Sequence, residues 1–129
     1  MTNYTFRRVQ HVSLTRPRGS EDAVRHFYGE VLGLTEISRP STLSHLDLVW
    51  YSIGDDELHL VAEDDVDNTN SGRHFCVQVS DLQAVRDRLA ASDVRIWDTT
   101  PIPGRPRFFC ADPFENSIEI TEFRPEEAE

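Results

Sequence analysis

The chain has 129 residues, 38% of them hydrophobic, with seven Phe, two Trp and three Tyr, enough to bury the core of one domain spanning 1–129. A formal net charge of -10 and the lack of any basic run argue against nucleic acid and anionic membranes as partners. No apolar stretch reaches transmembrane length, "MTNYTFRRVQ" lacks a signal core, and Cys76 and Cys110 form no Cys-x-x-Cys pattern, so a cytoplasmic protein is expected.

In chain order, a strand is expected at about 7–14, "RRVQHVSL". A helix follows at about 20–32, with Ser20 as cap, Glu21 and Asp22 in its first turn, and Gly33 at its end. Its residues Val24, Phe27, Tyr28, Val31 and Leu32 share one face. Three short strands come next, near 34–38, 45–53 and 57–62, the last two joined by the hairpin signal "GDD". The acidic, Asn-rich stretch over 63–72 reads as a linker.

After the linker the same order recurs. "RHFCVQV" is a strand, a helix spans about 81–91 with Leu82, Val85 and Leu89 on one face, and "VRIWD", "RFFCA" and "SIEITEF" are three more strands. The tail "RPEEAE" reads as a frayed end, and most of the acidity as solvated surface. The fold expected is α+β: two βαβββ modules, about 7–63 and 73–123, forming a curved mixed sheet around a central cup.

Single residues test the duplication. His11 opens the first strand of module one and His74 that of module two; His59 and Glu119 lie in the two last strands. The spacing is 48 positions in one module and 45 in the other, and Trp50–His59 and Cys110–Glu119 both span nine.

Side chains alternate between the faces of a strand. One face collects Val12, Leu14, Leu58, Leu60, Phe75, Val77, Val79, Ile118 and Ile120, which need cover from the two helices. The other collects His11 and Ser13, Glu57 and His59, His74, Cys76 and Gln78, and Ser117, Glu119 and Thr121. Three imidazoles and a carboxylate turned into a cup need partners, and a divalent metal would satisfy all four. Any one of these histidines alone reads more readily as a hydrogen-bonded strand residue, and Glu119 alone as solvent-facing. The joint pattern favours His11, His59, His74 and Glu119 as metal ligands, with His26 and His45 left as surface residues.

The stretches "HVSL", "AVRHFYGEVLGL", "WYSIGDDELHL", "HFCVQVSDLQAVRDRL" and "RFFCADPFENSIEI" together resemble the vicinal oxygen chelate superfamily. That superfamily includes glyoxalase I, methylmalonyl-CoA epimerase, extradiol dioxygenases, fosfomycin-resistance thiol transferases and bleomycin-binding proteins. The resemblance runs from about Val9 to Phe123. It implies one metal ligand from each of four strands, at positions that fall on His11, His59, His74 and Glu119, and a divalent ion such as Zn, Ni, Co, Mn or Fe. Family members often pair as dimers, so a homodimer is expected, with the cup built within one chain or across two. One departure is Glu115 in the "DPFEN" turn, where the family usually has Gly; a left-handed backbone there costs a non-Gly residue about 1 kcal/mol.

The implied chemistry binds a small-molecule substrate through adjacent oxygens, stabilising an enolate or oxyanion. A fourth ligand at His59 favours a lyase, isomerase or epimerase, with Glu119 as the proton-moving group and Glu57 as the second candidate. An extradiol-type dioxygenase or fosfomycin-type thiol transferase would use only His11, His74 and Glu119. A metal-free, drug-sequestering binder is the third reading. Ser13, Trp50, Arg105, Arg107 and Phe109 are candidate substrate contacts; the loop "TTPIPGRPRF", which carries both arginines, reads equally as a lid or as plain surface. Core packing competes for Trp50, Trp97, Phe108 and Phe109, and Cys76 reads as a small strand residue before a nucleophile.

Overall fold

The computed structural model describes residues 3–123, so the tail over 124–129 lies outside the described residues. Two βαβββ units follow one another, as expected. The first comprises β1 (His11–Pro17), a helix, β2 (Thr35–Ile37), β3 (Leu48–Ile53) and β4 (Asp56–Glu63). The second comprises β5 (His74–Val79), the helix α2 (Leu82–Ala91), β6 (Ile96–Trp97), β7 (Arg107–Ala111) and β8 (Ser117–Glu122). The sheets run β1-β4-β3-β2 and β5-β8-β7-β6, each with one parallel pair between its first and last strands. Parallel pairing demands a long crossover, and the helix and hairpin of each unit supply it.

The first helix departs from plain α geometry. It is α-helical over Glu21–Val24 (α1) and continues as a π-helix over Arg25–Val31, where the Leu32 amide donates to the Phe27 carbonyl. Gly29, mid-stretch, is a weak helix former, and the side chain of Tyr51 lies on its side-chain side. Gly33, at φ +80°, ends the helix in the left-handed conformation only glycine adopts freely. In α2 the Asp81 carboxylate accepts from the Ala84 amide, so Asp81 is the cap. The first strand starts at His11 rather than near residue 7, and a short 3-10 turn at Ser41–Leu43 precedes β3.

One core serves both units. Val24, Phe27, Tyr28 and Val31 from the first helix pack with Val49, Tyr51, Leu58 and Leu60 of the first sheet, and with Leu89, Phe108, Cys110, Ile118 and Ile120 of the second unit. Burying each such side chain contributes roughly 1.5–3 kcal/mol. The expected apolar set thus lies inward: Leu58, Leu60, Ile118 and Ile120 are buried, while Val12, Leu14, Phe75 and Val77 are half-buried against them.

Polar links between the units converge on the β7–β8 turn. The Tyr28 hydroxyl donates to Asp112 Oδ2 at 2.6 Å, and the same oxygen accepts from Asn116 Nδ2 at 2.8 Å. Asp112 Oδ1 accepts from the amides of Phe114 and Asn116. Asn116 and Asn68 both donate to the Thr15 carbonyl, and Arg88 of α2 donates to the carbonyls closing the first helix. Burial pushes the Asp112 carboxyl above its ordinary value, against these donors; it also pushes Tyr28 well up. Glu115 takes the left-handed conformation at φ +68°, and its carboxylate pairs with Arg95 at 2.6 Å, so the turn forms without glycine.

Tyr28→Phe removes one donor from a buried carboxylate. It should lower the unfolding free energy by about 1–3 kcal/mol, read as a reduced midpoint at unchanged slope in urea titration.

Candidate metal and substrate face

The strand register shows which polar residues share a row. In the first sheet His11 pairs with Glu57 and Ser13 with His59, and His59 pairs with Trp50 across β3. In the second, His74 pairs with Ser117 and Cys76 with Glu119, and Glu119 pairs with Phe109 across β7. His11 therefore stands to His59 as His74 stands to Glu119, and the two pairs are equivalent. The hairpins, however, do not match residue for residue. The counterpart of Trp50 is Phe109, because Cys110 pairs with Ile118 and is buried in the core. The five-residue loop between the paired ends Ala111 and Ser117 adds one position that equal nine-residue spacing conceals.

In the first sheet the His59 ring lies flat between two others. Trp50 stacks on it at 3.8 Å with an interplanar angle of 4°, and His11 stacks at 4.3 Å and 19°. His59 Nε2 meets Glu57 Oε1 at 2.9 Å, and His11 Nδ1 meets Gln10 Oε1 at 2.5 Å. His59 is buried though it lies on the polar face, because the flat rings cover it; His11 and Ser13 are exposed.

In the second sheet His74 Nε2 meets Glu119 Oε1 at 3.1 Å, while its Nδ1 meets the Gly72 carbonyl at 2.9 Å. A carbonyl only accepts, so Nδ1 carries the proton and Nε2 points at the carboxylate. Two bare acceptors repel, so this contact requires a proton or a cation between them. Arg107 Nη1 donates to Glu119 Oε2 at 3.4 Å and Nη2 to the Thr100 carbonyl at 2.8 Å. The Arg107 guanidinium lies over the Phe109 ring, which stacks on Trp97 at 5.7 Å.

Within one chain the two pairs stay apart. Among the described residues no three His, Cys, Asp or Glu side chains gather closely enough to hold an ion. Each sheet carries half of the expected ligand set on the face turned away from the core. The donors themselves suit a borderline divalent ion: three imidazoles and a carboxylate, with the Nδ1 atoms of His11 and His74 both tied to oxygens so that Nε2 is left for ligation. Glu57 and Arg107, which hold His59 and Glu119, would be the groups displaced.

Among the candidate substrate contacts, Trp50, Arg107 and Phe109 flank the ligand pairs, while Arg105 is exposed on the loop before β7 and Ser13 lies open on β1. Trp97 stands with Phe109 on this face, and Phe108 is core. Cys76 is raised to about 11 by burial and by Glu119, so it is a thiol at neutral pH. The anchoring groups Gln10, the Gly72 carbonyl and the Thr100 carbonyl escape sequence reading: two are backbone atoms, and alternation along the strand expected at about 7–14 assigns Gln10 to the face opposite His11. The buried Arg16, paired with Asp47 at 2.7 Å and Glu21 at 3.3 Å, gives no pattern signal either.

The model of the Glyoxalase/Bleomycin resistance protein/Dioxygenase superfamily matches residues 8–120, and the chain belongs to that superfamily. A glyoxalase family protein from Bacillus anthracis is 30% identical over 96% of this chain and 100% of its own, with a TM-score of 0.88. Lactoylglutathione lyase from Agrobacterium tumefaciens is 22% identical over 89% of this chain and 92% of its own (TM-score 0.67). The fosfomycin resistance protein FosX from Listeria monocytogenes is 14% identical over 95% and 98% (TM-score 0.73). The latter two likenesses are of fold. No protein with a curated description matches the chain. No helix among the described residues is long and apolar enough to cross a membrane.

Cys110 is fully buried and pushed up to about 12, chiefly by burial and then by Asp112. It should resist alkylation at pH 8 in the native chain and react only on unfolding, measured by mass spectrometry across a urea series.

Proposed function

We propose that the chain is a metal-dependent lyase or isomerase acting on a small oxygen-rich substrate. It works as a homodimer in which His11 and His59 of one protomer meet His74 and Glu119 of its partner. The observation that carries this reading is His74: its Nδ1 is held by the Gly72 carbonyl, and its Nε2 lies 3.1 Å from the Glu119 carboxylate, close enough for one ion to take both. The burial of His59 and Glu119 on faces turned away from the core supports it, since each half-site leaves its groups only partly paired.

When bound, the divalent ion would supply Lewis-acid stabilisation of an enolate or oxyanion formed on adjacent substrate oxygens. The chain's own part is to hold and move protons. We assign that role to Glu119 Oε2, beside Arg107, and to Glu57 Oε1, beside His59 Nε2. Trp50 stacks on His59, and Phe109 lies opposite Glu119. Two free cysteines suit the reducing cytoplasm, where we place the protein.

A second reading, a dioxygenase or thiol transferase using His11, His74 and Glu119 alone, draws on one fact: His59 Nε2 is already engaged by Glu57. His59→Ala separates the two. Coordination predicts metal affinity weakened roughly 10-fold or more, checked by titration with folding followed by circular dichroism. Unchanged affinity supports the second reading.

Protein purified without a His tag should carry stoichiometric divalent metal, and His74→Ala or Glu119→Ala should abolish it. Mixing tests the assembly. A chain with His11→Ala and His59→Ala and a chain with His74→Ala and Glu119→Ala should each be metal-free, yet regain metal on refolding together. A site closed within one chain would gain nothing from mixing.

A further inference from the structure

Arg107 breaks the duplication. By register its counterpart in the first sheet is Leu48: Trp50 matches Phe109, and each lies two positions further along its strand. An apolar position has thus become a guanidinium whose side chain is only 16% exposed. Burying a charge is costly unless it is paired, and here the pairing is partial. Nη2 is well satisfied by the Thr100 carbonyl at 2.8 Å, the contact from Nη1 to Glu119 is long at 3.4 Å, and the buried Nε has no partner among the described residues. The guanidinium carbon sits 5.6 Å from the Phe109 ring centroid. The group is oriented more firmly than it is used.

Among the described residues its anionic partner is Glu119, the same carboxylate that the proposed metal would claim. Once that carboxylate's charge is drawn to an ion, Nη1 is left as an aimed cationic donor beside it. Phe109 and Trp97 form a stacked aromatic shelf on the same row. We infer that Arg107 is the specificity-determining anchor for a substrate carboxylate, and that the substrate is an organic acid with a flat apolar group and a second oxygen next to the carboxylate. Arginine suits this task because its fork matches a carboxylate and stays charged at all working pH values. The inference rests on the metal-dependent reading above and names the substrate class of that same site.

The test uses cobalt-loaded dimer and two probes that share a phenyl ring and adjacent oxygens. Mandelate carries a carboxylate; 2-hydroxyacetophenone is neutral. By calorimetry the wild type should bind mandelate about 10-fold or more tightly than the neutral probe, the size of one charge-assisted hydrogen bond. The cobalt ion itself favours the carboxylate, so Arg107→Met should narrow that gap by about 10-fold rather than erase it, while leaving affinity for 2-hydroxyacetophenone within about 3-fold, and Arg107→Lys should restore part of it. Retention of the neutral probe and of metal shows that the Met variant is folded; should it fail to fold, the Lys variant alone decides, by a reduced but present preference. Equal affinity of the wild type for both probes, or a preference unchanged in the variants, overturns the Arg107 assignment with the metal reading intact. Failure of the wild type to load metal overturns the reading it rests on instead.

Discussion

A single buried carboxylate ties the two halves of the molecule together. Asp112 is 3% exposed, and its two oxygens accept from two backbone amides, the Asn116 amide group and the Tyr28 hydroxyl. The first three donors shape the β7–β8 turn; the fourth comes from the helix of the other unit. Leaving such a charge underpaired would cost several kcal/mol, so the turn, the helix and both sheets settle into one mutual placement. That placement seats both apolar faces on a common core, and alternation then sends His11, His59, His74 and Glu119 to the faces turned away from it. Asn116, besides closing the turn, reaches across to the Thr15 carbonyl at 3.0 Å, which carries the constraint onto β1 itself.

Much of this was legible in the sequence because it depends on local periodicity. Strand alternation separated Leu58 and Leu60 from Glu57 and His59, and Ile118 and Ile120 from Glu119, and the register agrees. The repeat was legible because each unit closes with a hairpin and opens with a histidine. What failed is instructive. Equal spacing made Cys110 the partner of Trp50, but a longer loop in the second unit shifts the match to Phe109, and a one-residue shift in a strand moves a side chain to the other face. The π-helical stretch over Arg25–Val31 was not foreseen, because an apolar stripe at i, i+3 and i+4 fixes which face is buried and not how tightly the backbone winds. The contacts that orient His74 and Arg107 come from backbone carbonyls, which no residue type announces.

The two half-faces solve the same electrostatic problem in opposite ways. On the first sheet an imidazole is held by a carboxylate, His59 against Glu57, beneath the flat Trp50 ring. On the second a carboxylate is held by a guanidinium, Glu119 against Arg107, beside the Phe109 ring. Each arrangement lets a polar group sit buried in the free chain without an orphaned charge, and each uses a neighbour on the same face to do so. Any group that binds His59 or Glu119 must therefore compete with a resident partner, and the partner it displaces is left beside it, aimed and charged. A duplicated frame that gives one face a displaced carboxylate and the other a displaced guanidinium is no longer symmetric in chemistry. The first offers an acceptor for a proton, the second a donor for an anion, and a substrate lying between two such faces would meet both.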